Sequence, residues 1–125
     1  MSSPNELKYT EDHEWVKIDG DTALVGITDH AQSELGDIIF IEFPDIDDHI
    51  DKSEPFGTIE AVKTVADLFA PISGKILEIN NSLEDSPELV NTDAYGEGWI
   101  VKVSIDNPNQ LKDLLSSESY EKLIG

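Results

Sequence analysis

The chain has no arginine, no cysteine and no apolar run long enough to cross a membrane. Without cysteine there is no disulfide framework, no thiolate nucleophile and no Cys-based zinc site. Without arginine there is no bidentate clamp for a carboxylate or a phosphate. Cations are scarce altogether: eight lysines stand against 27 acids, leaving a formal net charge of −19 on 125 residues. Nucleic acid and anionic membranes both require clustered cations, so neither is an expected partner. The same charge favours solubility and attraction to basic partners. Met1-Ser2-Ser3-Pro4-Asn5-Glu6 offers neither the basic nor the apolar segment of a secretion signal. The expectation is a protein that stays where it is made, or an organellar form already stripped of its transit peptide.

What remains is 38% hydrophobic, enough for one core, and the length suits a single domain over 1–125. Trp15 to Ile18 and Thr22 to Ile27 flank Asp19-Gly20-Asp21, a hairpin signal with a glycine to take positive φ. Thr28 or Asp29 caps a short helix from His30 to Leu35, and Gly36 ends it. Ile38 to Phe43 reads as a strand stopped by Pro44, and the acidic stretch Asp45 to Asp51 as a solvated loop. Further strands are expected over Phe56 to Val62, Val65 to Ala70, Lys75 to Ile79 and Trp99 to Ile105, with a helical turn near Ser86-Pro87. After Pro108 the leucines at 111, 114 and 115, then Tyr120, Leu123 and Ile124, recur at helical spacing. The sum predicts a mainly β fold, a compact sandwich or flattened barrel, with short peripheral helices and a helical C-terminal segment.

The functional signal is concentrated in Gly57 to Gly74, where Lys63 stands between two apolar β-like stretches. A lysine at a turn is ordinarily a solubility group, with its stem packed and its amine in water. Here it follows Glu60-Ala61-Val62 and precedes Thr64, Asp67 and Ala70-Pro71-Ile72-Ser73-Gly74. That block resembles the attachment turn of swinging-arm carriers, in which a modified lysine tips a β-hairpin. Biotinyl carriers usually flank the lysine with methionine, and 2-oxoacid dehydrogenase lipoyl domains place aspartate before it and alanine after it. Val62 and Thr64 fit neither, whereas Glu60-Ala61-Val62-Lys63 is similar to the Glu-Ser-Val-Lys of the glycine cleavage H proteins.

The resemblance to that family runs from about Leu7 to Ile124. Its carriers are Leu7-Lys8-Tyr9-Thr10, His13-Glu14-Trp15-Val16, Gly26 to Gln32, Leu35-Gly36-Asp37, Pro87 to Asn91 and Tyr95 to Trp99. It implies a barrel-sandwich hybrid that is not an enzyme but a lipoyl carrier, with lipoate joined to Lys63 as an amide and Glu60, Val62 and Thr64 framing the attachment. It implies loading with an aminomethyl group by a pyridoxal-phosphate-dependent glycine decarboxylase (P protein). Unloading would follow by a tetrahydrofolate-dependent aminomethyltransferase (T protein), and reoxidation by dihydrolipoyl dehydrogenase (L protein). A lipoate ligase or octanoyltransferase would attach the arm. The loaded arm would fold back on Glu14, Asp67 and Asp12, with Ile27, Leu35 and Ile72 as cleft walls. The expected setting is the cytoplasm of a bacterium or the mitochondrial matrix, and the expected state a monomer.

One rival stays open on the residues, and the others are weaker. An H-like relay of lipoyl groups to other carriers shares every motif, and a 2-oxoacid dehydrogenase lipoyl domain shares only the turn. A hydrolase using a carboxylate pair lacks any motif among so many acids, and a plain interaction module leaves Lys63 without a role. His49, within Asp45-Ile46-Asp47-Asp48-His49-Ile50-Asp51, suggests a metal loop, but the glycine and terminal glutamate of a calcium loop are missing. No metal site is expected.

Overall fold

The structure is a computed structural model and describes residues 6–124. The stretch read for leader signals lies outside the described residues up to position 5. Strands β1 (Lys8–Tyr9), β2 (Glu14–Asp19) and β3 (Thr22–Ile27) open the chain, followed by helix α1 (Asp29–Leu35). Next come β4 (Ile38–Glu42), β5 (His49–Ile50), β6 (Pro55–Ala61), β7 (Val65–Phe69) and β8 (Gly74–Ile79). Two one-turn helices, α2 (Ser82–Asp85) and α3 (Leu89–Thr92), precede β9 (Val101–Ser104). A 3-10 helix (Pro108–Asp113) and α4 (Ser117–Ile124) finish it.

The strands form two antiparallel sheets, one ordered β1-β2-β3-β9-β8-β5 and the other β4-β6-β7. One apolar cluster joins them: Val25, Ile76 and Val103 from the larger sheet pack in the same core as Ile41, Ile59 and Leu68 from the smaller. A second cluster of Leu7, Tyr9, Trp15 and Tyr120 closes the end where α4 lies. This is the mainly β, flattened sandwich with peripheral helices that the apolar patterning predicts.

Local chemistry explains the elements that matter for the site. The β2–β3 hairpin turns at Gly20, whose φ is +65°. Thr28 caps α1 by accepting the Ala31 N–H at 3.1 Å, and Gly36, at φ +84°, ends it with its N–H on the Gln32 carbonyl. Asn91 on α3 then fixes α1 to β4. Its Oδ1 accepts from the Ile38 N–H at 2.9 Å, and its Nδ2 donates to Gln32 Oε1 at 2.8 Å and to the Gly36 carbonyl at 2.9 Å. Asn91→Ala leaves all three partners unmatched in a half-buried setting and is expected to destabilise the fold by about 2 kcal/mol, measured by urea denaturation.

The structure corrects two readings of element type. The acidic stretch after Pro44 is not all loop: His49 and Ile50 pair with Lys75 and Gly74, because Ile50 is buried and β8 offers it an edge. Leu114 and Leu115 are not helical. Leu115 instead exchanges backbone hydrogen bonds with Tyr9, at 2.7 and 2.8 Å, extending the larger sheet's edge. The strand read over Ile38 to Phe43 is present as β4, where a bulge between Ile38 and Phe40 leaves Ile39 and Phe40 both exposed while Ile38 and Ile41 are buried.

Candidate functional site

Strands β6 and β7 form a hairpin with Glu60 opposite Val65 and Ile59 opposite Ala66. The Ala61 N–H donates to the Thr64 carbonyl at 2.8 Å, which leaves Val62 and Lys63 as the two residues of the bend. The Val62 N–H donates to the Asp37 carbonyl at 3.0 Å, tying the bend to the approach of β4. Val62, Lys63 and Thr64 are all exposed, and Glu60 is half-buried. Sequence and structure thus put Lys63 in the same place, at a hairpin tip with its amine in solvent.

The same hairpin walls a cavity. It encloses about 170 Å³ and is lined by Asp12, His13, Glu14, Ile27, Ala31, Glu34, Leu35, Ile59, Ala66, Asp67 and Leu68. Glu14, at the start of β2, is 2% exposed. Its Oε2 accepts the Phe69 N–H at 2.8 Å, a hydrogen bond from one sheet to the other. Its Oε1 is buried and has no partner among the described residues. Burial drives the carboxyl pKa up to about 8; the Phe69 hydrogen bond opposes the shift and the nearby Asp12 charge adds to it. Glu14 therefore holds its proton at neutral pH in the absence of a cation.

The surroundings of Glu14 are set by the loop before β2. Thr10 Oγ1 accepts the Asp12 and Glu14 N–H groups, and His13 takes a left-handed φ of +67°. His13 Nδ1 and Thr28 Oγ1 both hydrogen-bond the Tyr120 hydroxyl, at 2.9 and 2.7 Å, so α4 holds the loop and the α1 cap together. Desolvation lowers the His13 pKa, with the His30 ring 4.9 Å away reinforcing the shift. Tyr120→Phe removes the shared hydroxyl while keeping the ring stacked on Tyr9, and should cost about 1–2 kcal/mol in a thermal or urea melt.

Of the acids and walls expected from sequence, Glu14, Asp67, Asp12, Ile27 and Leu35 meet at this cavity. Ile72 does not: it is wholly buried in the sandwich core and absent from the lining. Its place is taken by Ile59 and Leu68, whose inward orientation depends on how β6 pairs with β7. Asp12 is exposed and also borders a second depression, of about 220 Å³, beside the Lys52–Asp113 ion pair at 2.7 Å. Sequence reasoning missed His13 and Glu34 as lining groups. Their only signal was a place in the loop before β2 and on α1. His49 hydrogen-bonds Asp51 Oδ1 through Nε2 at 3.0 Å, and its Nδ1 lies 3.6 Å from Asp106 Oδ2. Among the described residues no helix is long and apolar enough to cross a membrane.

Two facing antiparallel sheets with a lysine at the tip of one hairpin define a barrel-sandwich β domain. The model of the family "Glycine cleavage H-protein" matches residues 7–125, and the chain belongs to that family. It is 54% identical to the glycine cleavage system H protein of Staphylococcus carnosus (strain TM300), over 100% of this chain and 99% of that one. The crystal structure of a glycine cleavage system H protein from Mycobacterium marinum superposes with a TM-score of 0.87. That match has 36% identity and covers 98% of this chain and 99% of that one.

Proposed function

We propose that this chain is the lipoyl carrier of glycine cleavage. In this reading it ferries the aminomethyl group of glycine from the decarboxylase to the aminomethyltransferase before dihydrolipoyl dehydrogenase resets it. Lipoate, held as an amide on Lys63, supplies the disulfide chemistry and carries the one-carbon unit. The chain has no cysteine and supplies no redox group of its own. The observation that carries the reading is Glu14 Oε1, a buried acceptor without a partner among the described residues, on a side chain that lines a cavity walled by the hairpin that displays Lys63.

The residues suit a returning cationic group. Glu14 offers a charge-assisted acceptor where water is scarce. Asp12 and Asp67 at the rim add negative charge, and Ile27, Leu35, Ile59 and Leu68 exclude solvent. His13 is held largely neutral by its lowered pKa, so it does not compete for the carboxylate at neutral pH. The exposed bend gives attaching and processing enzymes access to the lysine without opening the core. Peptide-level mass spectrometry across Gly57 to Lys75, on protein made with lipoate supplied, is expected to find the lipoyl mass on Lys63. An unmodified Lys63 in protein that still supports glycine cleavage overturns the proposal.

A further inference from the structure

The described residues expose seven large apolar side chains, and four of them, Ile39, Phe40, Val62 and Val65, surround the Lys63 bend. Val62 is 66% exposed, Val65 59%, Phe40 56% and Ile39 49%. The pairing Phe40–Glu60–Val65 runs across the outer face of β4, β6 and β7, and the bulge in β4 is what turns Ile39 and Phe40 outward together. From Phe40 the face continues into a groove of about 470 Å³, lined also by Phe43, Ile79, Glu42 and Glu84. An exposed apolar set grouped in this way marks an interaction surface.

Its charge indicates the occupant. Asp37, Glu42, Glu60 and Glu84 border the face and the groove, and among the described residues none of their carboxylates takes part in an ion pair. Among the described residues named on this face Lys63 is the one cation, and acylation removes it. A second copy of a chain carrying −19 would be repelled. The fitting partner has an apolar centre and a rim of lysine or arginine. The amine itself does not distinguish Lys63: Lys8, Lys17 and Lys112 are exposed too, while Lys52, Lys75, Lys102 and Lys122 are drawn to nearby acids. An enzyme that must select one bare amine out of eight reads its surroundings.

We propose that Ile39, Phe40, Val62 and Val65, with the groove beyond Phe40, form the docking surface for a basic-rimmed enzyme that acylates Lys63. The inference rests on the reading of Lys63 as the attachment point. In the step itself, lipoate and ATP give a lipoyl adenylate and pyrophosphate. Nζ, having lost a proton to solvent, then displaces AMP to form the amide.

The test uses the full unmodified chain and a lipoate ligase with lipoate and ATP, following mass gain at Lys63. Phe40→Ser with Val65→Ser changes only exposed side chains, and far-UV dichroism and a thermal melt check the fold. The expected result is a loss of tenfold or more in kcat/KM for the chain, carried mainly by KM. Calorimetric titration of the variant into the ligase is expected to show weaker binding to match. Glu42→Lys should slow the reaction, and raised salt should slow it for the unaltered chain. A double variant acylated with an unchanged KM overturns the docking surface alone. So does a KM effect seen with the aminomethyltransferase and not with the ligase. No mass gain on the unaltered chain overturns the assignment of Lys63, and the inference with it.

Discussion

Lys63→Arg is expected to leave the fold intact and to abolish turnover in a reconstituted glycine cleavage assay, by at least three orders of magnitude. Position 63 lies in an exposed bend whose closing hydrogen bonds are made by the backbone of Ala61, Val62, Thr64 and Asp37. Arginine keeps the charge and the length at that position, so melting temperature and dichroism should match the unaltered chain. A guanidinium does not form the amide that a deprotonated primary amine forms, because it stays charged at any accessible pH. Charge and shape are retained and only the acylatable nitrogen is lost, so the substitution separates a carrier from a plain interaction module. Retained activity in the variant would sink the carrier reading.

Glu14 should give the second large effect, through pH. Its folded pKa of about 8 lies above the ordinary 4.5, so between those values the folded state holds a proton that the unfolded chain has released. Stability therefore falls as pH rises through that window and levels off above the folded value. From pH 6 to pH 9 this one group should remove roughly 2–3 kcal/mol, read by urea denaturation at the two pH values. Glu14→Gln keeps an acceptor for the Phe69 N–H and cannot ionise, so its stability should change much less over the same interval. In the functional assay the same variant removes the charge that would receive an ammonium group. The expected result is a carrier that is still acylated but loses its one-carbon unit to water more than tenfold faster. Equal pH dependence in both proteins would mean that Glu14 is already paired in solution.

Much of this arrangement is legible in the chain before folding. The Thr28 cap and Gly36 stop delimit a helix by local hydrogen bonding alone, and Gly20 marks its hairpin by the φ it has to adopt. Lys63 is flanked by strand-forming residues on both sides, so its place at a bend follows from short-range pattern. Other features depend on distant partners. Ile50 joins a strand only because β8 lies beside it, and Leu115 leaves the helical pattern because Tyr9 offers a backbone partner. Ile72 and Ile59 are equally apolar in sequence, yet Ile59 on β6 lines the cavity while Ile72, beyond the end of β7, packs in the core. Glu14 is one of 27 acids, and the backbone N–H that its carboxylate accepts belongs to Phe69, 55 positions on.

The carboxyl of Glu14 divides its duties, one oxygen holding the amide of Phe69 across the seam between the sheets and the other buried without a partner among the described residues. Whatever alters the charge on the free oxygen also alters the electron density at the bound one. The nitrogen and proton resonances of the Phe69 amide thus form a built-in gauge of cavity occupancy, readable in isotope-labelled protein without a probe attached to the cargo.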